Sequence, residues 1–271
     1  MLQGKVVNFI ERTKWNHHPN LPREFRMGIF GKSGSGKTCL LFQLVCEPGF
    51  IDYDNIMIFA PSHTIQQQEL QLLYHGLSNG LKKETIASMV INQEKLKKDF
   101  PDLSIKKLCE LMSKVTSETS NAREITITMS SEFESIPDPT KLDRNKKNLI
   151  VFEDCKSLNH MQPVINYYMT SGRQASCNAI ILYQGYTSLK AAGDIRENLN
   201  VIVFLNQTLK QLSVLYDILG AGSMNKFQFT TFASNAFQKY DGHGHIAFNL
   251  QTRKLYDNIF EEKQTSDDES D

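Results

Sequence analysis

The sequence predicts an α/β fold: a mostly parallel central sheet flanked by helices, with a helical insertion and a β-rich C-terminal segment. Three observations carry that expectation. Short, continuous apolar runs recur along the chain ("FRMGIF", "NIMIFAPS", "NLIVFEDC", "NAIILYQ", "NVIVFLNQ"), with helix-like stretches between several of them. Runs without polar alternation suit strands buried on both faces, which is the situation in a parallel sheet covered by crossover helices. The first run leads through a glycine-rich loop into an apolar helix-like segment, "GIFGKSGSGKTCLLFQLV", from Gly28 to Val45. A later run, "LIVFED", delivers the adjacent carboxylates Glu153 and Asp154 at its end.

Taken in order, Phe25 to Phe30 reads as the first strand, being short, apolar and partly branched. "TCLLFQLVCEPGF" reads as a helix, ended by Pro48 and Gly49. Asn55 to Ser62 supplies a second buried strand, and Ile65 to Leu81 fits a helix. Residues 82–121 are rich in lysine and glutamate at helical spacing and are expected to form a helical insertion or lid. "REITITMSSEF" alternates with period two, as a half-exposed strand does, and "SIPDPTKLDRNKK" is a polar loop. "MQPVINYYMTSGRQ" is expected to be a helix between two buried strands. Aromatic residues alternate from Phe227 to Phe248, which predicts a β-rich closing segment. The expected division is an N-terminal extension (1–24), one domain (25–260) and an acidic disordered tail (261–271).

The chain has 271 residues, 40% of them hydrophobic and 22% charged, with 30 basic side chains balancing 30 acidic ones. A neutral balance removes the bulk electrostatic argument for nucleic-acid binding, so a DNA contact requires a local patch or an assembly. No apolar run reaches the about 18 residues of a membrane span, and the N-terminus lacks a signal-peptide core. Five cysteines, none spaced CxxC, argue against a disulfide framework and for a reducing compartment. An intracellular, soluble protein without membrane contact is expected.

Gly31, Lys32, Ser33, Gly34, Ser35, Gly36, Lys37 and Thr38 fit GxxxxGK[ST] between a strand and a helix. Glycines let the backbone close around phosphate oxygens, and the helix N-terminus supplies amide donors and a favourable dipole. Lys37 is expected at the β- and γ-phosphates of ATP, and Thr38 on Mg²⁺. The acidic pair would divide the labour, one helping to hold Mg²⁺ and one orienting or deprotonating the attacking water, with Glu153 preferred for the metal shell and Asp154 for the base. Gln184, ending "NAIILYQ", would sense the γ-phosphate or position water if its strand lies between the loop strand and the acidic strand. Such an inserted strand defines the additional-strand branch of P-loop NTPases. Arg173 and Arg196 lie in segments flanking that strand, and either would serve as an arginine finger or be a surface or ion-paired side chain. His17-His18 and His243-x-His245 lack a nearby third ligand and are weak metal candidates.

Together, "GKSGSGKT", "IMIFAPS", "NLIVFEDC", "TSGRQASCNAIILYQGY" and "IRENLNVIVFLN" resemble the viral genome-packaging ATPases of the FtsK–HerA superfamily. The match is to the poxvirus-type branch shared by large DNA viruses, virophages and Maverick/Polinton elements. "DGHGHIAFNLQTRKLYDNIF" resembles the C-terminal strand pair of that family. The resemblance covers most of residues 25–260, weakly across 82–147. Gln174 stands where the family has histidine, and the Glu153-Asp154 order departs from its usual acidic doublet. The resemblance implies an ATP-driven motor that forms a pentameric or hexameric ring at a capsid or portal vertex and moves double-stranded DNA inward. It would act in the host cell during virion assembly. A non-capsid DNA translocase or helicase, or a nucleotide-binding assembly protein with little turnover, are the other readings. Lys82, Lys83, Lys97 and Lys98 are candidates for gripping the DNA backbone, or form a solvated helix face.

Overall fold

In the computed structural model, residues 15–116, 125–153, 162–186, 193–219 and 224–261 are described. Eight strands form one sheet: β1 (Arg26–Phe30), β2 (Asn55–Phe59), β3 (Thr126–Ser130), β4 (Asn148–Glu153), β5 (Cys177–Tyr183), β6 (Val201–Leu205), β7 (His245–Asn249) and β8 (Lys254–Tyr256). Their order is β3-β2-β4-β5-β1-β6-β7-β8. The first six strands pair in parallel, and β7 and β8 close one edge as antiparallel strands. β5 therefore lies between β1 and β4, the condition on which the expected role of Gln184 depends.

Alternate side chains of the central strands feed two cores. On one face Met27, Ile29, Ile58, Val151, Ile180 and Val203 pack under α1 (Lys37–Cys46), α3 (Gln68–Ser78) and α4 (Lys83–Ile91). On the other, Phe30, Phe152, Ile181 and Phe204 meet α7 (Gln162–Ser171), α8 (Gly193–Asn198), α9 (Leu209–Leu219) and α10 (Lys226–Gly242). Burial on both faces is why β4, β5 and β6 carry unbroken apolar stretches (Leu149–Phe152, Ala179–Tyr183 and Val201–Leu205). The half-exposed edge strand β3 alternates instead.

Asparagines mark the N-terminal ends of the buried strands and fix how neighbouring strands start. Asn178 Oδ1 accepts the Phe25 amide at 2.9 Å, and Asn200 Oδ1 accepts the Arg26 amide at 2.7 Å. Asn55 Nδ2 donates to Asn148 Oδ1 at 3.0 Å. These side chains satisfy backbone groups where the ladder has not yet begun. Residues ahead of β1 join the same fabric: Leu21 belongs to the core, and Asn20 Nδ2 donates to the Ile259 carbonyl at 2.7 Å.

The helical insertion is present as α4, α5 (Gln93–Asp99) and α6 (Ile105–Thr116), with α2 (Ser62–Ile65) and α3 ahead of it. The β-rich closing segment needs correction. Most of it is the helix α10, started by an Asn225–Gln228 capping box, and only β7 and β8 are strands. Phe229, Ala233, Ala236 and Phe237 are its buried residues, a helical spacing that the Phe227–Phe229 alternation disguises. Of the acidic tail, residues 262–271 fall outside the described residues. Among the described residues, no helix is long and apolar enough to cross a membrane.

Candidate functional site

β1 ends at Phe30 and the chain turns through the glycine-rich loop into α1. Gly34 (φ +74°) and Gly36 (φ +90°) take left-handed backbone that lets the loop wrap, and Gly36 is the N-cap of α1. Gly31 has no room for a side chain: a Cβ there would stand 2.3 Å from Ser35 Oγ. Ser35 Oγ is buried and has no hydrogen-bond partner. Lys37 Nζ donates to the carbonyls of Gly31 (2.8 Å) and Lys32 (3.0 Å), which keeps its ammonium over the concave face of the loop. Lys32 is solvent-facing.

Glu153, the last residue of β4, is 3% exposed. Thr38 donates its Oγ1 hydrogen to Glu153 Oε1 at 2.5 Å. The contact spans the sheet end from the first turn of α1 to the acidic strand, across the intervening β5. Gln184 follows β5 immediately and stands exposed in the same cleft. The cleft, about 1000 Å³, is lined by Ser33, Gly34, Gly36, Lys37 and Thr38 together with Glu153 and Gln184. Hard oxygen donors at Thr38 and Glu153 suit Mg²⁺, which favours hydroxyl and carboxylate oxygens beside phosphate. Cys39, next along α1, also lines the cleft; burial, and then the nearby Glu69, push its thiol pKa up, so it stays protonated at neutral pH.

Three wall residues escaped the sequence reading in this role: Tyr240, His243 and Asn258. The end of α10 breaks at Lys239, and Tyr240 (φ 54°), Asp241 (φ 56°) and Gly242 (φ 86°) are all left-handed. This strap brings His243 Nδ1 to 3.5 Å from where a Gly36 Cβ would stand. The signal available in the sequence was "YDGHGH", a glycine-punctuated break between an aromatic helix and a strand.

Asp154 lies outside the described residues, and so does the side chain of Arg173, whose backbone forms a short turn of 3₁₀ helix (Gly172–Ala175). Arg196, on α8, is not in the cleft wall. Its guanidinium sits 6.0 Å from the ring centre of Tyr186, a residue of the core on the α7–α10 face. Lys83 is committed to the fold, donating to the Ile51 carbonyl at 3.0 Å and lying 3.9 Å over the Tyr53 ring. Lys82, Lys97 and Lys98 are exposed. Three of the four paired histidines serve the fold, and His243 faces the cleft. His17 Nδ1 accepts the Asp52 amide at 3.0 Å, His18 stacks on Phe50, and His245 Nε2 accepts the Ile259 amide at 3.1 Å.

A glycine-rich phosphate loop after β1, an acidic β4 and a strand inserted between them define the additional-strand class of P-loop folds. Among solved structures, the chain is similar to B204, the DNA-packaging ATPase from Sulfolobus Turreted Icosahedral Virus, at 9% identity over 86% of this chain and 95% of that one, TM-score 0.46. It is also similar to the genome packaging NTPase B204 from Sulfolobus turreted icosahedral virus 2 in complex with AMPPCP (8% identity, 86% and 95% covered, TM-score 0.45). A third likeness is to VirB4 of Thermoanaerobacter pseudethanolicus (11% identity, 85% and 87% covered, TM-score 0.45). No protein-family model and no curated protein matches the chain.

Proposed function

We propose that this protein is an ATPase whose hydrolysis drives double-stranded DNA into a preformed viral capsid. The observation that carries the hydrolytic part is the 2.5 Å contact between Thr38 and Glu153 across an inserted strand that ends in Gln184. Loop amides and Lys37 neutralise the β- and γ-phosphates, and Thr38 and Glu153 hold Mg²⁺. The metal, when bound, withdraws charge from the phosphate oxygens. Gln184 orients a water in line with the γ-phosphorus. Asp154 accepts its proton as the new P–O bond forms and the bond to the ADP oxygen breaks. Arg173 or Arg196, offered from a neighbouring subunit of a homo-oligomeric ring, stabilises charge on the transferring group. The position of Arg196 away from its own cleft is compatible with that use.

Coupling to DNA and to a capsid or portal rests on the sequence resemblance to packaging ATPases. The exposed lysines Lys82, Lys97 and Lys98 supply cations for a backbone grip that would weaken with salt.

The test is ATP hydrolysis with and without double-stranded DNA, comparing wild type with Lys37→Ala and Asp154→Asn. Stimulation by DNA that both variants abolish is the expected result. An assembled ring whose hydrolysis ignores DNA overturns the motor reading and leaves a nucleotide-binding assembly protein. A DNA-stimulated enzyme that never associates with capsids is a translocase of another kind.

A further inference from the structure

The sheet order sets a direction for any nucleotide in the cleft. Glu153 and Gln184, at the ends of β4 and β5, stand on one flank of β1. Leu205 at the end of β6, and His243 and His245 at the entry to β7, stand on the other. A triphosphate in the loop with its terminal phosphate beside Glu153 and Gln184 therefore extends its nucleoside toward β6 and β7. There the wall is the strap that follows α10.

We propose that the Tyr240–His243 strap is the nucleoside clamp of this site, its two rings providing faces for the base and ribose of the bound nucleotide. The inference rests on the phosphate-loop reading above and adds what that loop lacks, a means of holding the rest of the ligand. His243 overhangs Gly36, where the absence of a side chain leaves space between imidazole and loop. Tyr240 is 58% exposed and belongs to neither core.

The backbone supports the same assignment. Left-handed backbone is unfavourable for residues with a side chain, and two such residues in a row, Tyr240 and Asp241, persist only where their surroundings hold them. Three ties do so. Lys239 Nζ meets Asp257 Oδ2 at 2.6 Å, Asn258 Nδ2 donates to Tyr240 Oη at 3.1 Å, and Tyr240 Oη donates to Glu261 Oε1 at 3.3 Å. Gly244 allows the chain to double back, since a Cβ there would stand 1.8 Å from the Ala236 carbonyl oxygen. The strap is thus braced from the segment that follows β8, with its rings lining the cleft. Aromatic faces accept any base by stacking, so the clamp contributes affinity for a nucleoside more than choice among bases.

The experiment is calorimetric titration of the full chain, in Mg²⁺, with ATP and with inorganic triphosphate, which has no nucleoside. Tyr240→Asn removes the ring while keeping a residue that tolerates left-handed backbone, and His243→Ala removes the imidazole. Each is expected to weaken ATP by about tenfold and to leave triphosphate affinity unchanged. Retained triphosphate binding also shows that the variant is folded. Lys37→Ala weakens both ligands. ATP affinity unchanged in both strap variants overturns the clamp alone, as does a parallel loss of both ligands. A wild-type chain that binds neither ligand overturns the phosphate-loop reading, and the clamp with it.

Discussion

Replacing Thr38 by valine keeps the branched shape of the side chain and removes the hydroxyl that reaches Glu153 Oε1 at 2.5 Å. The acceptor is a carboxylate 3% exposed, so the lost bond is one to a buried charge. Such bonds contribute about 1.5–3 kcal/mol. Thr38 itself is half-buried, which lets water replace part of the interaction and puts the cost near the lower end, about 1.5 kcal/mol. For a domain of this size that lowers Tm by about 3–6 °C. In a Glu153→Gln background the acceptor is neutral, and the same change should cost only about 0.5–1 kcal/mol. A double-mutant cycle read by urea unfolding isolates the difference. Thr38→Ser, which keeps the hydroxyl, should stay close to wild type in stability and in Mg²⁺-dependent hydrolysis, while Thr38→Val loses hydrolysis. A Thr38→Val chain as stable as wild type, or costs identical in both backgrounds, would refute the proposed coupling of the two side chains.

Gly31→Ala and Gly34→Ala should both weaken nucleotide binding, for different reasons that crystal structures of the two variants would separate. The first forces Ser35 Oγ out of the loop by collision; the second meets nothing and costs only the about 1–2 kcal/mol of left-handed backbone. Asn178→Ala strips the buried Phe25 amide of its acceptor and should destabilise the fold by about 1–3 kcal/mol in urea, without any direct contact with the cleft. Acid should weaken the fold as well. Burial holds His245 at about 4, against 6.5 when free, with Asp257 and Glu261 partly opposing the shift. The unfolded chain takes up that proton first, so stability is full above 6.5 and declines as pH falls toward 4. Burial places His17 at about 4 too, adding to the same slope. A urea midpoint that stays flat across this window contradicts the account.

The phosphate loop was legible because its chemistry is local: glycines, Lys37 and Thr38 act within a single turn of chain. The buried strands were legible for a similar reason, since burial on both faces writes itself as an unbroken apolar run. Strand order is a tertiary property, which is why the sequence could state the position of β5 between β1 and β4 only as a condition. In α10, "FQF" suggested alternation while the helical period lay in Phe229, Ala233, Ala236 and Phe237, and the Asn225–Gln228 capping box was the overlooked start signal. Tyr240 and His243 were not legible as cleft residues because the fold brings them there, His243 to Gly36 across about two hundred positions of sequence.

The central placement of β1 has a consequence for how the protein is made. Its only sheet neighbours are β5 and β6, through registers such as Met27 with Ile180 and with Val201, both more than half the chain away. At a ribosomal rate of about 5–20 residues per second, the first strand and its loop wait about 8–30 s for either partner to be synthesised. During that interval Met27, Ile29 and Phe30 have no sheet to enter and are exposed to chaperones or to other nascent chains. A nucleotide bound in the cleft as proposed would meet its site only after β5 has been synthesised, so it would stabilise the sheet once β1 has its neighbours and would not template the first steps of assembly.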